Sequence, residues 1–249
     1  MSGHSHWSGI KYKKAINDAK RGKAWSKIAR LIIVSARAGG GDPGANLALR
    51  YAIDKAKAVN MPKDTIEKAV KKGTGELGGQ NFENVLYEGY GPGGVAIMIE
   101  ALTDNRNRTA PEIKRIFERR SGAMGTSGCV SWMFTKKGLL TVARGDADED
   151  ELMELALSAG ADDMTAKGDI FEITCEPAAY EGLKNQLQEK AIPTQVSEIS
   201  MVPQSDVAIS DPETARKIIS LMEDLEEHDD IQNVYSNFDI PDEIMSKAG

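Results

Sequence analysis

Apolar residues recur at helical intervals through the first third of the chain and change to strand-like runs after it. In "KAWSKIARLIIVSARAGGG" the residues Trp25, Ile28, Leu31, Ile32 and Ser35 fall on one helical face. Gly39 to Gly41 are predicted to stop that helix, because glycine suits the terminal turn and weakens a helix interior. A second helix is predicted from about Ala45 to Val59, with Leu49, Ala52, Ile53, Ala56 and Val59 inward. A third begins near Pro62, turns Ile66, Ala69 and Val70 inward and stops at Gly73. Three short helices with short connections make a small bundle. "GTGELGGQN" then reads as a linker.

The pattern changes at residue 83. "ENVLYEGY" and "VAIMIEAL" are strand-like runs either side of "GPGG", which predicts a hairpin. Thr109 with Glu112 three residues on forms a capping box, predicting a helix start there with Ile113, Ile116 and Phe117 on one face. "CVSWMFT" (129–135) reads as another strand. Residues 138–202 run strand, helix, strand, strand, helix, strand, which is the ferredoxin-like order. "DVAIS", the helix "DPETARKIISLMEDLEEH" and the strand "NVYSNFDI" are too little for a separate unit. They are expected to complete the sheet begun at residues 84–135, with 138–202 inserted.

Composition narrows the class. Of 249 residues 41% are apolar and 6% aromatic, so any core rests on aliphatic side chains and Met. No run approaches the ~18 apolar residues of a membrane span, and "MSGHSHWSGIKYKK" does not read as a secretory signal. Cys129 and Cys175 form no motif, which suits a reducing cytosol and a cytoplasmic protein.

Charge changes the picture most. The net charge is −7, yet residues 1–80 carry sixteen Lys/Arg against six Asp/Glu, and residues 146–249 carry six against twenty-six. A basic end and an acidic end imply different tasks. Residues 11–37 hold nine cations, Lys11, Lys13, Lys14, Lys20, Arg21, Lys23, Lys27, Arg30 and Arg37, and a single acid, Asp18. Trp7, Tyr12 and Trp25 are interleaved and suit stacking. Such a stretch predicts polyanion binding through phosphates, with little sequence information. In "TDNRNRT", Arg106 and Arg108 stand before a predicted helix N-terminus, where free N–H groups favour anions. That segment is a second candidate contact.

No catalytic constellation is present. "GYGPGG" lacks the lysine and hydroxyl of a phosphate-binding loop and lies between two strands, so it reads as a hairpin turn. The serines lack a nucleophile-elbow context. His4 and His6 form an H-x-H pair without further ligands, so no metal and no cofactor is expected.

The motifs "GHSHWSGIKYKKA", "DAKRGKAWSKI", "ARAGGGDPGAN", "NMPKDTIEKAVKKGTGE", "YEGYGPGGVAIMIEALTDNRNRT" and "VSWMF" together resemble the YebC/PmpR family. That family includes the mitochondrial translational activator of cytochrome c oxidase, and the resemblance spans essentially the whole chain. His6 stands where many members have lysine, Tyr12 often where they have histidine, and Cys129 often where they have serine. The resemblance implies an α+β multidomain fold, with an N-terminal three-helix domain followed by two ferredoxin-like α/β domains, the third inserted in the second. The expected divisions are 1–80, a basic nucleic-acid-binding domain; 81–137 with 203–249, a discontinuous α+β domain; and 138–202, an acidic insertion. It also implies a DNA-binding transcriptional regulator, non-enzymatic. A ribosome-associated translation factor on ribosomal RNA, including relief of proline-rich stalls, is the alternative. An enzyme acting on a phosphorylated ligand at "GYGPGG" and "DNRNR" ranks third. The acidic half is expected either to take a basic protein, such as a ribosomal one, or to fold over the basic patch and mask it. No membrane partner is expected.

Overall fold

A computed structural model describes residues 18–78, 81–241 and 243–245, with side chains from residue 22 onward. Helix α1 (Asp18–Gly39) packs against α2 (Leu47–Ala58) and α3 (Lys63–Gly73) around Ile32, Ala36, Leu49, Ala52, Ala56 and Ile66. Asn46 makes the α1–α2 corner. Its Oδ1 caps α2 by accepting the Leu49 N–H at 3.1 Å, and its Nδ2 donates to the Ser35 and Gly40 carbonyls at 2.8 Å each. One buried side chain thus serves two helix ends. Asn46→Ala is expected to lower stability by about 2 kcal/mol, read as a urea-midpoint shift at constant m, because a cap and two carbonyl partners disappear together. At the α1–α3 crossing a Cβ on Gly73 would lie 2.5 Å from the Ile33 carbonyl oxygen, so glycine is what lets the helices touch.

Two antiparallel four-stranded sheets follow. The first joins β1 (Glu83–Tyr90) and β2 (Ala96–Thr103) to the short β3 (Ala123–Met124) and to β9 (Ile231–Ser236), in the order β3-β1-β2-β9. Helices α4 (Arg106–Arg119) and α7 (Pro212–Glu227) lie on one face. Phe117, Ile113, Ile218, Met222 and Leu225 pack there against Ile97, Ile99 and Val234. The "GPGG" turn holds Gly93 at φ +73°, and a Cβ there would meet Ile209 and Thr214 at 3.0 and 3.3 Å. The turn packs beside the start of α7.

The second sheet lies between these strands in sequence. It contains β4 (Phe134–Ala143), β5 (Ala161–Lys167), β6 (Ile170–Cys175) and β7 (Val196–Pro203), in the order β5-β6-β4-β7. With α5 (Glu149–Ser158) and α6 (Tyr180–Glu189) on one face it has the ferredoxin-like arrangement. The short β8 (Val207–Ala208) pairs in parallel with β10 (Phe238–Asp239). Helix α2 reaches this unit through Tyr51, edge-on to Tyr180, and a Lys55–Glu198 ion pair at 3.4 Å. Among the described residues no helix is long and apolar enough to cross a membrane.

Two local expectations are corrected. The helix expected to start at Thr109 starts at Arg106, capped by Asn105, whose Oδ1 accepts the Arg108 N–H at 3.2 Å. Thr109 is buried one turn inside, and its hydroxyl donates to Asp230 at 2.6 Å. The expected strand 129–135 begins only at Phe134 and runs on to Ala143, after a single 3₁₀ turn at Ser131–Met133. The N–H groups of Gly128, Val130 and Ser131 bond to the buried Glu88 carboxylate rather than to a neighbouring strand.

Candidate nucleic-acid interface

On α1 the cations Lys23, Lys27 and Arg30 sit at i, i+4 and i+7, one stripe of the helix. That stripe faces the C-terminal end of α7 and the turn after it. Lys23 Nζ donates to the Glu227 carbonyl at 3.4 Å, and Lys27 Nζ donates to the Glu226 carbonyl. Arg30 Nη1 donates to the Asp229 carbonyl at 2.8 Å and to Asp230 Oδ1 at 2.7 Å. A helix C-terminus carries free carbonyls and the negative end of the dipole. Residues 223–230 add six carboxylates to it. The polyanion met by this stripe is therefore the chain's own α7 end. Masking is expected from the acidic half, and the bonds to the stripe come from its residues 226–230 rather than from 138–202.

Asp230 joins the parts. Only 2% exposed, it accepts from Arg30, from Arg108 at 2.8 Å, from Thr109 at 2.6 Å and from Thr103 at 3.1 Å. Its own carbonyl accepts the Leu102 N–H at 2.7 Å. Burial alone would raise its pKa. The bonds from Thr109, Arg108 and Thr103 outweigh that and hold it down at about 2. Beside it, His228 Nδ1 accepts the Asp230 N–H at 3.2 Å, which leaves the proton on Nε2 to donate to Glu112 at 3.0 Å.

The other expected contacts divide. Arg37 donates to Asn81 at 2.9 Å. Arg108, read from sequence as a free anion contact, bonds to Asp104 at 3.0 Å as well as to Asp230. Arg106 is exposed on the first turn of α4. Trp25 is half-buried and donates its indole N–H to the Val59 carbonyl at 3.1 Å, so it pins α1 to α2. Lys20 and Arg21 lie in the first turn of α1 with their side chains outside the description; Trp7, Lys11, Lys13, Lys14, His4 and His6 lie outside the described residues.

Sequence reading missed the face of α4. Arg108, Glu112, Arg115 and Arg119 recur at i, i+4, i+7 and i+11, and they line a cleft of about 490 Å³ with Lys23, Arg30, His228 and Asp230. Arg119 bonds to Asp224 at 2.9 Å, whereas Arg115 is exposed and makes no bond among the described residues. The signal for this stripe is the charge spacing in "RTAPEIKRIFER", which runs alongside the apolar face that marks the helix. The cleft thus places α4 cations alongside Lys23 and Arg30 of α1.

Comparison with known proteins covers the whole arrangement. Residues 5–76 match a family model described as the TACO1/YebC protein N-terminal domain, and residues 82–238 match one described as the TACO1/YebC second and third domain. A relative from Halothermothrix orenii, named a probable transcriptional regulatory protein, is 53% identical over 249 residues, covering 99% of this chain and 98% of its own. One of the same description from Geobacter sulfurreducens is 51% identical over 247 residues, covering 99% of each. The crystal structure of a conserved hypothetical protein from Aquifex aeolicus superposes with a TM-score of 0.84 at 48% identity, covering 96% of this chain and 99% of that one.

Proposed function

The chain belongs to the TACO1/YebC family, and on that premise we propose that it is a non-enzymatic, cytoplasmic, nucleic-acid-binding regulator of transcription. The observation that carries the reading is the division of the basic stretch. Lys23, Lys27 and Arg30 are taken up by the α7 end and act as an anchor. Lys11, Lys13, Lys14, Lys20 and Arg21 precede that anchor in sequence and act as the grip. Arg106 and Arg115 on α4 extend it.

Recognition of this kind goes to phosphates. The α1 stripe points into the protein and is not offered to base edges, so affinity comes from backbone charge and varies little with sequence. With six or more phosphates engaged, affinity should fall by about a thousandfold between ~50 and ~200 mM salt. Crosslinking in cells followed by sequencing should recover nucleic acid with the protein. Promoter DNA is the expected outcome. Recovery of ribosomal RNA instead would move the regulator from transcription to translation. Recovery no better than an uncrosslinked control, or binding indifferent to salt, would remove the reading altogether.

A further inference from the structure

The loop from Gly125 to Met133 is unusual in what it buries and in what it leaves out. Glu88 is 2% exposed, and its carboxylate is surrounded by three backbone donors: Gly128 at 2.6 Å and Val130 and Ser131 at 2.7 Å each. Burial works to raise its pKa, but those donors outweigh it and keep the group ionised. The Glu88 carbonyl also accepts the Gly125 N–H at 2.8 Å. A buried charge therefore fixes the whole loop.

The loop presents Trp132, 68% exposed, in a chain with only three tryptophans. Its indole N–H donates to the Cys129 carbonyl at 3.1 Å. The hydroxyl of Tyr90, itself 40% exposed, donates to the same oxygen at 3.0 Å. Both rings are held at their polar ends by one atom, so what they offer outward is ring surface. Residues 119–137 contain no Asp or Glu, and the carboxylate of Glu88 is enclosed by its N–H donors. Arg119 and Arg120 are engaged by Asp224 and Lys137 by Asp162 and Glu176, whereas Lys136 is exposed four residues from Trp132.

We infer that Trp132, with Tyr90 beside it, is a stacking platform for an unpaired nucleobase, a second contact separate from the α1–α4 cleft. An aromatic face whose polar end is already satisfied accepts any base, and such stacking requires the base to be out of a duplex. A ring fixed in advance loses little side-chain freedom on binding. The inference rests on the nucleic-acid reading above but adds a preference for single strands that phosphate contacts alone do not give.

The test uses the full chain and a uridine homopolymer of about twelve nucleotides beside a duplex of equal length. The single strand should quench tryptophan emission, and Trp132→Phe should remove most of that quenching while keeping affinity within about threefold. Trp132→Ala should weaken single-strand binding about tenfold and leave duplex binding unchanged. Trp132 is exposed, so an unchanged unfolding midpoint accompanies both variants. If Trp132→Ala binds single strand and duplex as the parent does, the platform is overturned and the phosphate-binding reading stands. If the parent binds neither probe, both fall together.

Discussion

Asp230→Asn is expected to lower stability by about 3 kcal/mol and, in the same protein, to tighten nucleic-acid binding several-fold. Asparagine keeps one acceptor oxygen and brings an NH₂ group toward donors. Four side chains converge on the present carboxylate: Thr103, Thr109, Arg108 and Arg30. Two hydroxyls and two guanidinium groups cannot all be satisfied by one amide oxygen. Removing one member of a buried ion pair costs ~3–5 kcal/mol. The lower end applies here because Arg30 and Arg108 are 24% and 44% exposed and regain water.

The pH dependence has a definite sign. The folded pKa of about 2 lies below the ordinary 3.8, so the contribution is fully present above about pH 4 and is lost as pH falls toward 2. That part amounts to about 2 kcal/mol. Urea midpoints of parent and variant should therefore converge on acidification through this window and differ most at neutral pH. The gain in affinity follows from releasing Arg30, whose other partner is the Asp229 carbonyl. Unfolding free energies equal within about 0.5 kcal/mol at pH 7 would show that Asp230 does not hold α1 to the body.

The same residue explains what the sequence could and could not show. The three helices of the bundle and the order of residues 138–202 follow from local periodicity, and each of those elements appears within a few residues of its expected span. The expectations that failed did so where a distant group took over a local one. Thr109 has a capping-box neighbour, but its hydroxyl is engaged by Asp230, 121 positions away. The segment 129–135 alternates like a strand, but Glu88, 42 positions from Val130, takes its donors. Charge behaved alike. Nine cations in 27 residues are visible as a polyanion-binding signal. That three of them meet the α7 end depends on pairings 199 to 204 positions apart, which no local pattern encodes. Arg115 and Arg119 are legible in principle, since their spacing with Arg108 is helical.

The division into anchor and grip makes opposite predictions for neighbouring cations. Reversing Lys13, Lys14, Lys20 and Arg21 to glutamate changes the local charge by eight and frees up to four phosphates. The salt dependence of log affinity should then fall by up to ~3.6 on double-stranded DNA, at ~0.9 for each phosphate no longer neutralised. Affinity at moderate salt should drop by at least about a thousandfold, because repulsion replaces attraction at each position. The unfolding midpoint should barely move if these side chains serve only as grip. Lys27→Glu is the counterpart. It places a carboxylate against the Glu226 carbonyl and the negative end of α7, so it should cost about 1–2 kcal/mol of stability. Its direct effect on affinity should stay within about threefold, since Lys27 is already engaged. Gel-shift titrations at several salt concentrations, paired with urea melts, separate the two behaviours. A fourfold reversal that leaves DNA and RNA affinity untouched would end the nucleic-acid reading. A Lys27 reversal that abolishes binding without loss of stability would show that the stripe leaves α7 to grip the ligand.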